Sequence, residues 1–193
     1  SSDGADETEI DCGEACGEAH DIFIYADDVT IEGFKIDDAN TAITIGSPGH
    51  GADNALVTNN QIIDADGTNG AGVVISAYAT NASILDNVFD DCRDGIVIES
   101  GGGDIDALIS GNEIGDCTDN GAIVLEGGNE DITIKGNIIS GNDDSSGILF
   151  KDGAACDDIV IQDNTISGNE ENGIYVDTSN APTISIRLLF YYT

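Results

Sequence analysis

The sequence predicts an all-β protein, a parallel β-helix (solenoid) in which about seven coils of 25–27 residues stack on one another. Three observations lead to this prediction. An apolar pattern returns at near-constant spacing, apolar residues alternate with other residues inside each short segment, and Gly, Asn, Asp and Ser separate the segments. Alternation with a period of two is typical of strands, and the separating residues favour sharp turns. A helical period of 3.6 does not appear.

The first strand of each repeat carries the pattern apolar, any, apolar, any, any, Asn, any, apolar. Complete copies have their asparagine at Asn60, Asn87, Asn112, Asn137 and Asn164. Imperfect copies at the two ends carry Phe34 and Leu189 at the asparagine position. In a solenoid these asparagines stack, and we expect each side-chain amide to bond to the next, which satisfies buried polar groups at a corner.

A second short strand follows in every copy, usually after a glycine. Its inward-facing pairs are Ile43/Ile45, Val73/Ile75, Ile96/Ile98, Ile123/Leu125, Ile148/Phe150 and Ile174/Val176. Ile22 and Ile24 fit the same strand of an earlier, incomplete coil. Strands of three to five residues cannot bury a face alone, but they share one core when they stack about 4.8 Å apart.

The outward positions of this second strand carry no charge. They are Phe23, Thr44, Val74, Val97, Val124, Leu149 and Tyr175. One interpretation is strand propensity, because branched and aromatic residues fit a pleated surface. The other is a face covered by a subunit, a terminal arm or a ligand. The second interpretation predicts an interface formed by Val74, Val97, Val124, Leu149 and Tyr175.

A column of acids is expected four residues after the asparagine position. Its members are Asp38, Asp64, Asp91 and Asp116, and the column continues as Gly141 and Gly168. Carboxylates about 4.8 Å apart repel each other by about 1 kcal/mol even in water. The column is therefore either a set of solvated turns, for which aspartate is a favoured residue, or a metal site for Ca²⁺ or other cations.

The five cysteines fall in three places. Cys92 and Cys117 occupy equivalent positions on neighbouring coils, and we expect stacked buried thiols rather than a disulfide, because in-register parallel neighbours point the same way. Cys12 and Cys16 lie in the acidic leader, where the two alternatives are a local disulfide and a cap. Cys156 falls in a turn. The odd total does not decide the redox compartment.

Two regions are expected in the chain: an acidic N-terminal leader or cap over residues 1–19 and a single β-helix domain over residues 20–193. The segment 184–193 is strongly apolar and lacks acids. At the open end of a solenoid such a segment is expected to cap the core, to join two molecules end to end, or to continue into a longer rod.

Composition excludes several classes of partner. The chain has 38 acidic and 5 basic residues, which give a net charge of −33. A surface with this charge repels phosphate backbones and anionic lipid. The apolar runs are too short to cross a bilayer. We therefore expect no nucleic-acid binding and no membrane insertion. The 40% of hydrophobic residues argues against disorder despite the acidity.

The segment N-T-I-S-G-N at 164–169, followed by G-I-Y-V at 173–176, resembles the right-handed parallel β-helix repeat of the pectin-lyase-like superfamily. The resemblance covers about residues 20–190 and implies a right-handed solenoid. It specifies the fold rather than the activity. Because many members act on acidic polysaccharides, it also implies a test for their catalytic residues.

That test gives no catalytic prediction. A lyase of this type would use an Arg or Lys base, and Arg93 lies within an acidic cluster over residues 90–94, where we expect a local salt bridge. A hydrolase of this type would use Gly-His-Gly, which is present as Gly49-His50-Gly51. However, the Asn-Thr-Asp and Arg-x-Lys motifs of those enzymes are missing, so His50 is expected to be a loop residue.

The sequence therefore predicts an exported, acid-rich structural or binding β-helix of the surface-layer, fibre or adhesin type, located outside the cell or on its surface. Expected partners are further copies of the chain, another surface protein, or carbohydrate. The alternative is a carbohydrate-active enzyme, a lyase or epimerase, that uses Ca²⁺ and acidic residues. The sequon Asn81-Ala82-Ser83 opens a coil and predicts an accessible glycosylation site at Asn81.

Overall fold

Three parallel sheets wrap around one apolar interior in a computed structural model of the protein, which describes residues 9–11, 20–68, 70–76, 78–99, 105–127, 129–151, 156 and 158–177. The strands are numbered β1 to β20 in chain order. Sheet A contains β1 (Glu9–Asp11), β4 (Lys35–Asp37), β7 (Gln61–Ile63), β10 (Val88–Asp90), β13 (Glu113–Gly115), β16 (Ile138–Ser140) and β19 (Thr165–Ser167).

Sheet B contains the longest strands, most of them five residues. They are β2 (His20–Ile24), β5 (Thr41–Ile45), β8 (Ala71–Ile75), β11 (Asp94–Ile98), β14 (Gly121–Leu125), β17 (Ser146–Phe150) and β20 (Ile174–Val176). Sheet C contains β3 (Thr30–Glu32), β6 (Leu56–Thr58), β9 (Ala82–Leu85), β12 (Ala107–Ser110), β15 (Ile132–Lys135) and β18 (Val160–Gln162).

Each coil passes through sheets C, A and B in that order, and every strand pairs in parallel with its equivalent on the next coil. The register matches the repeat: Ile62 pairs with Phe89, and Val97 pairs with Val124. This confirms the predicted β-helix. Within the described ranges six complete strand triplets follow β1 and β2, slightly fewer than the seven coils predicted. The copy expected at 184–191 lies outside the described residues.

The core forms where the inward-facing residues of all three sheets meet. Isoleucines such as Ile62, Ile84 and Ile96 are fully buried there, one from each sheet. Burial of one such side chain stabilises the fold by about 2 kcal/mol. Because each coil adds the same layer, the core runs along the whole rod. No helix of the described residues is long and apolar enough to span a membrane.

The corners of the coil require left-handed backbone, which explains much of the aspartate content. All thirteen non-glycine residues with positive φ in the described ranges are Asp or Asn. Twelve of them, together with glycines, form three columns: Asp28, Asn54, Asn81, Asp131 and Asp158 before sheet C; Gly33, Asn59, Asp86, Gly111, Gly136 and Asp163 before sheet A; and Asp38, Asp64, Asp91, Asp116, Gly141 and Gly168 before sheet B. Asp144 lies outside these columns. Gly, Asn and Asp tolerate this conformation best.

The five repeat asparagines stack at the corner between sheets C and A. The side-chain amides of the first four donate to the next Oδ1 at 2.9–3.1 Å, and the backbone N–H of the same residue donates to that oxygen as well. Each amide also donates to a carbonyl of the preceding coil, as Asn112 does to Ile84 at 2.9 Å. At Phe34 the backbone N–H alone donates to Asn60 Oδ1, at 3.0 Å.

A second, shorter ladder lies at the corner between sheets A and B. Asn142 Nδ2 donates to Asn169 Oδ1 at 2.6 Å, and the backbone N–H of Cys117 donates to Asn142 Oδ1 at 3.0 Å. The same column holds Cys92 and Cys117 as buried free thiols, in agreement with the expectation of stacked thiols. Burial raises the pKa of Cys92 to about 12, so this thiol is unreactive.

Of the remaining cysteines, the structure describes only Cys156. It lies outside the strands and is buried in the core, and it is also a free thiol. Its side chain packs as a small hydrophobic group. Cys12, Cys16 and the apolar segment 184–193 lie outside the described residues, as does most of the leader.

Candidate functional site

A groove of about 380 Å³ lies on the outer face of sheet B, over its central coils. It is lined by Val74, Arg93, Asp94, Val97, Glu99, Asp119, Asn120, Glu126 and Lys151. These residues come from β8, β11 and the segments that flank β11, β14 and β17. The groove therefore combines two apolar side chains, carboxylates and both kinds of long cationic side chain within a single cavity.

The apolar stripe of sheet B, for which the sequence predicts an interface, is largely buried at its centre. Val124 is completely buried, and Val74 and Val97 are 9% and 8% exposed. Together with Ala71 they form a small apolar cluster against which the half-buried Leu149 packs. Longer polar side chains line the groove around Val74 and Val97. Only Phe23 and Tyr175, at the two ends of the stripe, are well exposed.

Asp94 is the most firmly held acid of the groove. Its Oδ1 accepts hydrogen bonds from the backbone N–H groups of Asn120 and Gly121 at 2.9 and 3.0 Å, and its Oδ2 accepts one from Asn120 Nδ2 at 3.0 Å. The side chain is buried, and burial raises the pKa of Asp94, although these three donors favour the ionised form. The carboxyl group therefore points in a fixed direction and links two neighbouring coils.

Three charged residues follow the ends of successive sheet B strands. Because Ile98, Leu125 and Phe150 have equivalent positions in the register, Glu99, Glu126 and Lys151 follow at equivalent positions on three coils. Lys151 Nζ lies 2.9 Å from Glu126 Oε1. Burial and, second, the charge of Glu126 raise the pKa of Glu99 above its ordinary value. The column thus places a carboxyl that protonates readily beside a carboxylate paired with a lysine.

Arg93 forms the ion pair that the sequence predicts for it, but with an acid of the next coil. Its Nε and Nη2 atoms both lie 3.1 Å from Asp119 Oδ2. Asn120 Nδ2 donates to the same oxygen at 2.5 Å. Both cations of the groove, Arg93 and Lys151, are thus paired with a carboxylate of the groove.

Sequence reasoning missed this groove, although a signal was present. Read down the repeat, the position after the second strand is Gly46, Ser76, Glu99, Glu126, Lys151 and Asp177. Charges appear in this column only from the third coil onward and then change sign. The buried acid Asp94 was less visible, because it begins a strand and its equivalents are Thr41, Ala71, Gly121 and Ser146.

The acids predicted to bind a metal occupy the third left-handed corner. Asp38, Asp64, Asp91 and Asp116 are all exposed, with φ between 52 and 57°. Slight burial, and then the charge of Asp91, raise the pKa of Asp64. In the part of the chain that the structure describes, no three His, Cys, Asp or Glu side chains come together as a group that could hold a metal ion. The left-handed backbone is a sufficient reason for aspartate at these four positions, and cation binding by the column stays a prediction.

Two further predicted residues lie away from the groove. Asn81 is exposed just before β9 and borders a shallower cavity of about 330 Å³ on the outer face of sheet C, which also contains Asp106, Thr133 and Lys135. His50 closes a tight turn and packs on Tyr25, with ring centroids 5.2 Å apart. His50 is thus a loop residue, as expected.

The groove on sheet B can recognise hydroxyl groups better than it can recognise anions. Its carboxylates accept hydrogen bonds, and Asn120, Arg93 and Lys151 donate them. The valines offer an apolar contact beneath. If all are ionised, the groove has a net charge of −2, because it contains four acids and two basic residues. They are Asp94, Glu99, Asp119 and Glu126, and Arg93 and Lys151. An anionic ligand would therefore be repelled.

Comparison with protein-family models matches residues 20–187 to the model described as right-handed beta helix region. This match covers most of the 193 residues. Comparison with curated proteins and with solved structures gave no significant match in either set.

Proposed function

The chain belongs to the right-handed β-helix family, and we propose that within this fold it is an exported, acid-rich binding module that holds a neutral saccharide in the groove on sheet B. The fold alone does not specify an activity, so the proposal rests on the site. An exposed sequon at Asn81 and a net charge of −33, suited to a cation-rich environment, support a location outside the cell.

The groove is the single observation that carries this proposal. Binding sites are usually concave, partly apolar, and lined by a few polar groups whose positions are fixed. Here Asp94 is fixed by three hydrogen bonds, Arg93 by Asp119, and Lys151 by Glu126. Side chains held in this way lose little entropy when a ligand binds, so each hydrogen bond to a sugar hydroxyl contributes to affinity.

Charge selects the class of saccharide. Both cations of the groove are already paired with carboxylates, and two further acids, Asp94 and Glu99, remain. A polyuronate would bring additional carboxylates to this surface. A neutral oligosaccharide avoids that repulsion and can both donate to and accept from the charged groups of the groove.

The test is a calorimetric titration with neutral and uronate oligosaccharides. Neutral ligands are expected to bind, and Glu99→Ala should weaken the affinity about tenfold, because one charged hydrogen bond is worth about 1.4 kcal/mol or more. The backbone N–H of Glu99 bonds to Ile75 at 2.9 Å, so this truncation leaves the strand ladder intact. Asp106→Ala, in the cavity on sheet C, is the matched control and should leave the affinity unchanged. Preference for uronates would contradict the proposal.

A second candidate function, a carbohydrate-active enzyme, is favoured by the relation between Glu99 and Glu126. Equivalent backbone positions on neighbouring coils lie about 4.8 Å apart. Retaining glycosidases hold their two carboxyl groups about 5 Å apart, one protonated and one ionised. The raised pKa of Glu99 beside the lysine-paired Glu126 fits those two roles, with Glu99 as acid and Glu126 as nucleophile.

Incubation with neutral polysaccharides separates the two functions. An enzyme releases new reducing ends, and both Glu99→Gln and Glu126→Gln should reduce the rate at least a hundredfold, as is usual when a general acid or a nucleophile is lost. Asp106→Asn should keep the full rate. If a saccharide binds and no new reducing ends are released, the result excludes the enzyme and supports the binding module.

A further inference from the structure

Aromatic side chains gather on the surface of the N-terminal coils, where the outer stripe of sheet B begins, two strands before Val74 of the groove. Phe23, Tyr25 and Tyr78 are 46%, 45% and 47% exposed, and His50 is exposed beside them. The rings of Phe23 and Tyr25 lie 5.2 Å apart, and so do those of Tyr25 and His50. We call Phe23, Tyr25, His50 and Tyr78 the aromatic patch. The whole chain has only ten Phe and Tyr residues and no Trp, so three on one surface are a notable share.

A tight turn fixes the position of His50. Ser47 and His50 exchange two backbone hydrogen bonds, both of 2.8 Å. Pro48 and Gly49 stand between them, and Gly49 has a φ of 84°. A proline followed by a glycine of positive φ is typical of a type II turn. The turn holds the imidazole against Tyr25 without any contribution from a ligand.

The loops that carry the patch also pack on one another across coils. Gly46 donates to the carbonyl of Ile24 at 2.9 Å, and Ala52 donates to the carbonyl of Tyr78 at 3.3 Å. A Cβ atom at Gly46 would lie 2.8 Å from Ser76 Oγ, so the loops are in close contact. The backbones of the three coils that carry these side chains are therefore held together, which lowers the entropy cost of binding.

Two aspartates of the same loops follow the rings. Asp27 lies two residues after Tyr25, and Asp53 lies three residues after His50. Asp27 Oδ1 accepts from the backbone N–H of Asp53 at 2.9 Å, and Asp53 Oδ1 accepts from Thr80 Oγ1 at 2.7 Å, so both carboxylates are held in place. Among the residues that the structure describes, neither carboxylate has an ion pair with a lysine or arginine.

We propose that the aromatic patch docks a basic segment of a partner protein, whose arginine or lysine side chains lie on the rings and pair with Asp27 and Asp53. Cations are attracted to the faces of tyrosine and phenylalanine rings. The uncompensated carboxylates supply the opposite charge, and the net charge of −33 accelerates the encounter. A neutral apolar partner would leave both aspartates without a counterion, and an anionic partner would be repelled.

A labelled, unstructured peptide with several arginines tests this proposal by fluorescence polarisation at about 0.15 M salt, where long-range attraction is screened. We expect Tyr25→Ala to weaken binding about fivefold, which is the effect of one cation–π contact of about 1 kcal/mol. Tyr25→Phe keeps the ring face and should bind like the wild type. A peptide with citrulline in place of arginine, which has the same shape without the charge, should not bind.

Matched controls separate the patch from general attraction to an acidic protein. Tyr175 is also 45% exposed but lies at the other end of sheet B, so Tyr175→Ala should leave the affinity unchanged. Asp53→Asn should weaken binding, whereas Asp163→Asn, which removes the same charge at a distant corner, should not. Equal losses for Tyr25→Ala and Tyr175→Ala, or binding of the citrulline peptide, would overturn the proposal.

One further outcome identifies a different occupant. If Tyr25→Ala abolishes the binding of a neutral oligosaccharide while the arginine peptide binds the variant normally, the patch belongs to the saccharide site and the proposal is wrong. Glu99→Ala, in the groove on sheet B, should leave peptide affinity unchanged. Glu99→Ala thus tests the saccharide-binding groove and Tyr25→Ala tests the aromatic patch, so that one proposal can fail while the other holds.

Discussion

Individual residues at the corners of the coil explain why so acidic a chain folds into a regular rod. Aspartate satisfies two demands there: it tolerates positive φ, and it remains in water. Asp116 and Gly141 occupy the same corner on neighbouring coils with φ of 53 and 72°, so this backbone conformation forms with or without a charge. Burial and neighbouring aspartates raise the pKa of Asp64, at a corner, and of Asp90, the last residue of β10.

Asp64→Asn is predicted to stabilise the protein. Asparagine adopts the same conformation at Asn54 and Asn59, so the turn is retained, while the repulsion from Asp91 is removed. Because Asp64 is largely exposed and the interaction is screened, we expect a gain of only about 0.5 kcal/mol in the free energy of unfolding, measured with urea at low salt.

Calcium provides the contrasting outcome for this column. If the four aspartates bound a cation, Ca²⁺ would stabilise the wild type, and Asp64→Asn would lose that gain. Destabilisation by Asp64→Asn in the presence of Ca²⁺ would show that the column is a metal site rather than a set of turns.

Asn112→Ala is predicted to be far more costly than any change at a corner aspartate. Removal of this buried amide leaves the backbone N–H and side chain of Asn87, the carbonyl of Ile84 and Asn137 Oδ1 with fewer partners. We expect a loss of about 3 kcal/mol in chemical denaturation. The half-buried Asn164 ends the ladder, and Asn164→Ala should cost clearly less. Equal effects would mean that the ladder does not act cooperatively.

The strands of sheet B are the elements in which sequence and structure agree least. Their inward residues could be predicted, because the period of two and the repeat spacing fix which side chains face the core. Their outer face could not, because the burial of Val97 and Val124 depends on side chains that come from neighbouring coils. The pairing of Arg93 with Asp119, 26 residues away, is a contact of the same kind. Repeats reveal columns, but they do not reveal how far the side chains of adjacent columns reach over one another.

The glycine near the start of β11, Gly95, also has a structural reason. A Cβ atom at Gly95 would lie 2.5 Å from the carbonyl oxygen of Ala122 and 2.7 Å from Ile114 Cγ2, so sheets A and B approach too closely there for a side chain. The next coil has Ala122 at the equivalent position, following Gly121, so the spacing differs between coils.

Gly95→Ala is therefore predicted to destabilise the protein by about 2 kcal/mol, since overpacking forces the backbone or Ile114 to move. Ala122→Gly is the matched control and should cost only about 1 kcal/mol or less. Unfolding in guanidinium measures both. A neutral effect of Gly95→Ala would show that the two sheets adjust to a methyl group without strain.

At the scale of the whole molecule, the fold was predictable and the site was not. Five asparagines at regular spacing determine a solenoid, and residues 20–187 match the right-handed β-helix family. The groove arises from departures from the repeat, such as Asp94 and Lys151, which a search for regularity passes over. Acidity of the whole surface also makes stability depend on pH.

Stability is predicted to rise as the pH falls from neutrality. The pKa values of Asp64, Asp90, Asp94 and Glu99 are raised in the folded protein. The folded state therefore binds more protons than the unfolded state. The stability gained from this proton binding is fully present below the pKa values of the unfolded state, 3.8 for Asp and 4.5 for Glu. It is lost as the pH rises through the raised pKa values of the folded state. The urea midpoint should be higher at about pH 5 than at about pH 8. The opposite order would contradict these shifts.

The most direct test of the saccharide-binding groove is to map the amide resonances of the protein by NMR during titration with a neutral oligosaccharide. A chain of 19.9 kDa is suited to such spectra. The backbone N–H groups of Asn120 and Gly121, which donate to Asp94, should shift, together with that of Val97. The amides of Asp106 and Thr133, on sheet C, should remain in place. Shifts confined to sheet C, or no shifts with any neutral saccharide, would contradict the proposed function.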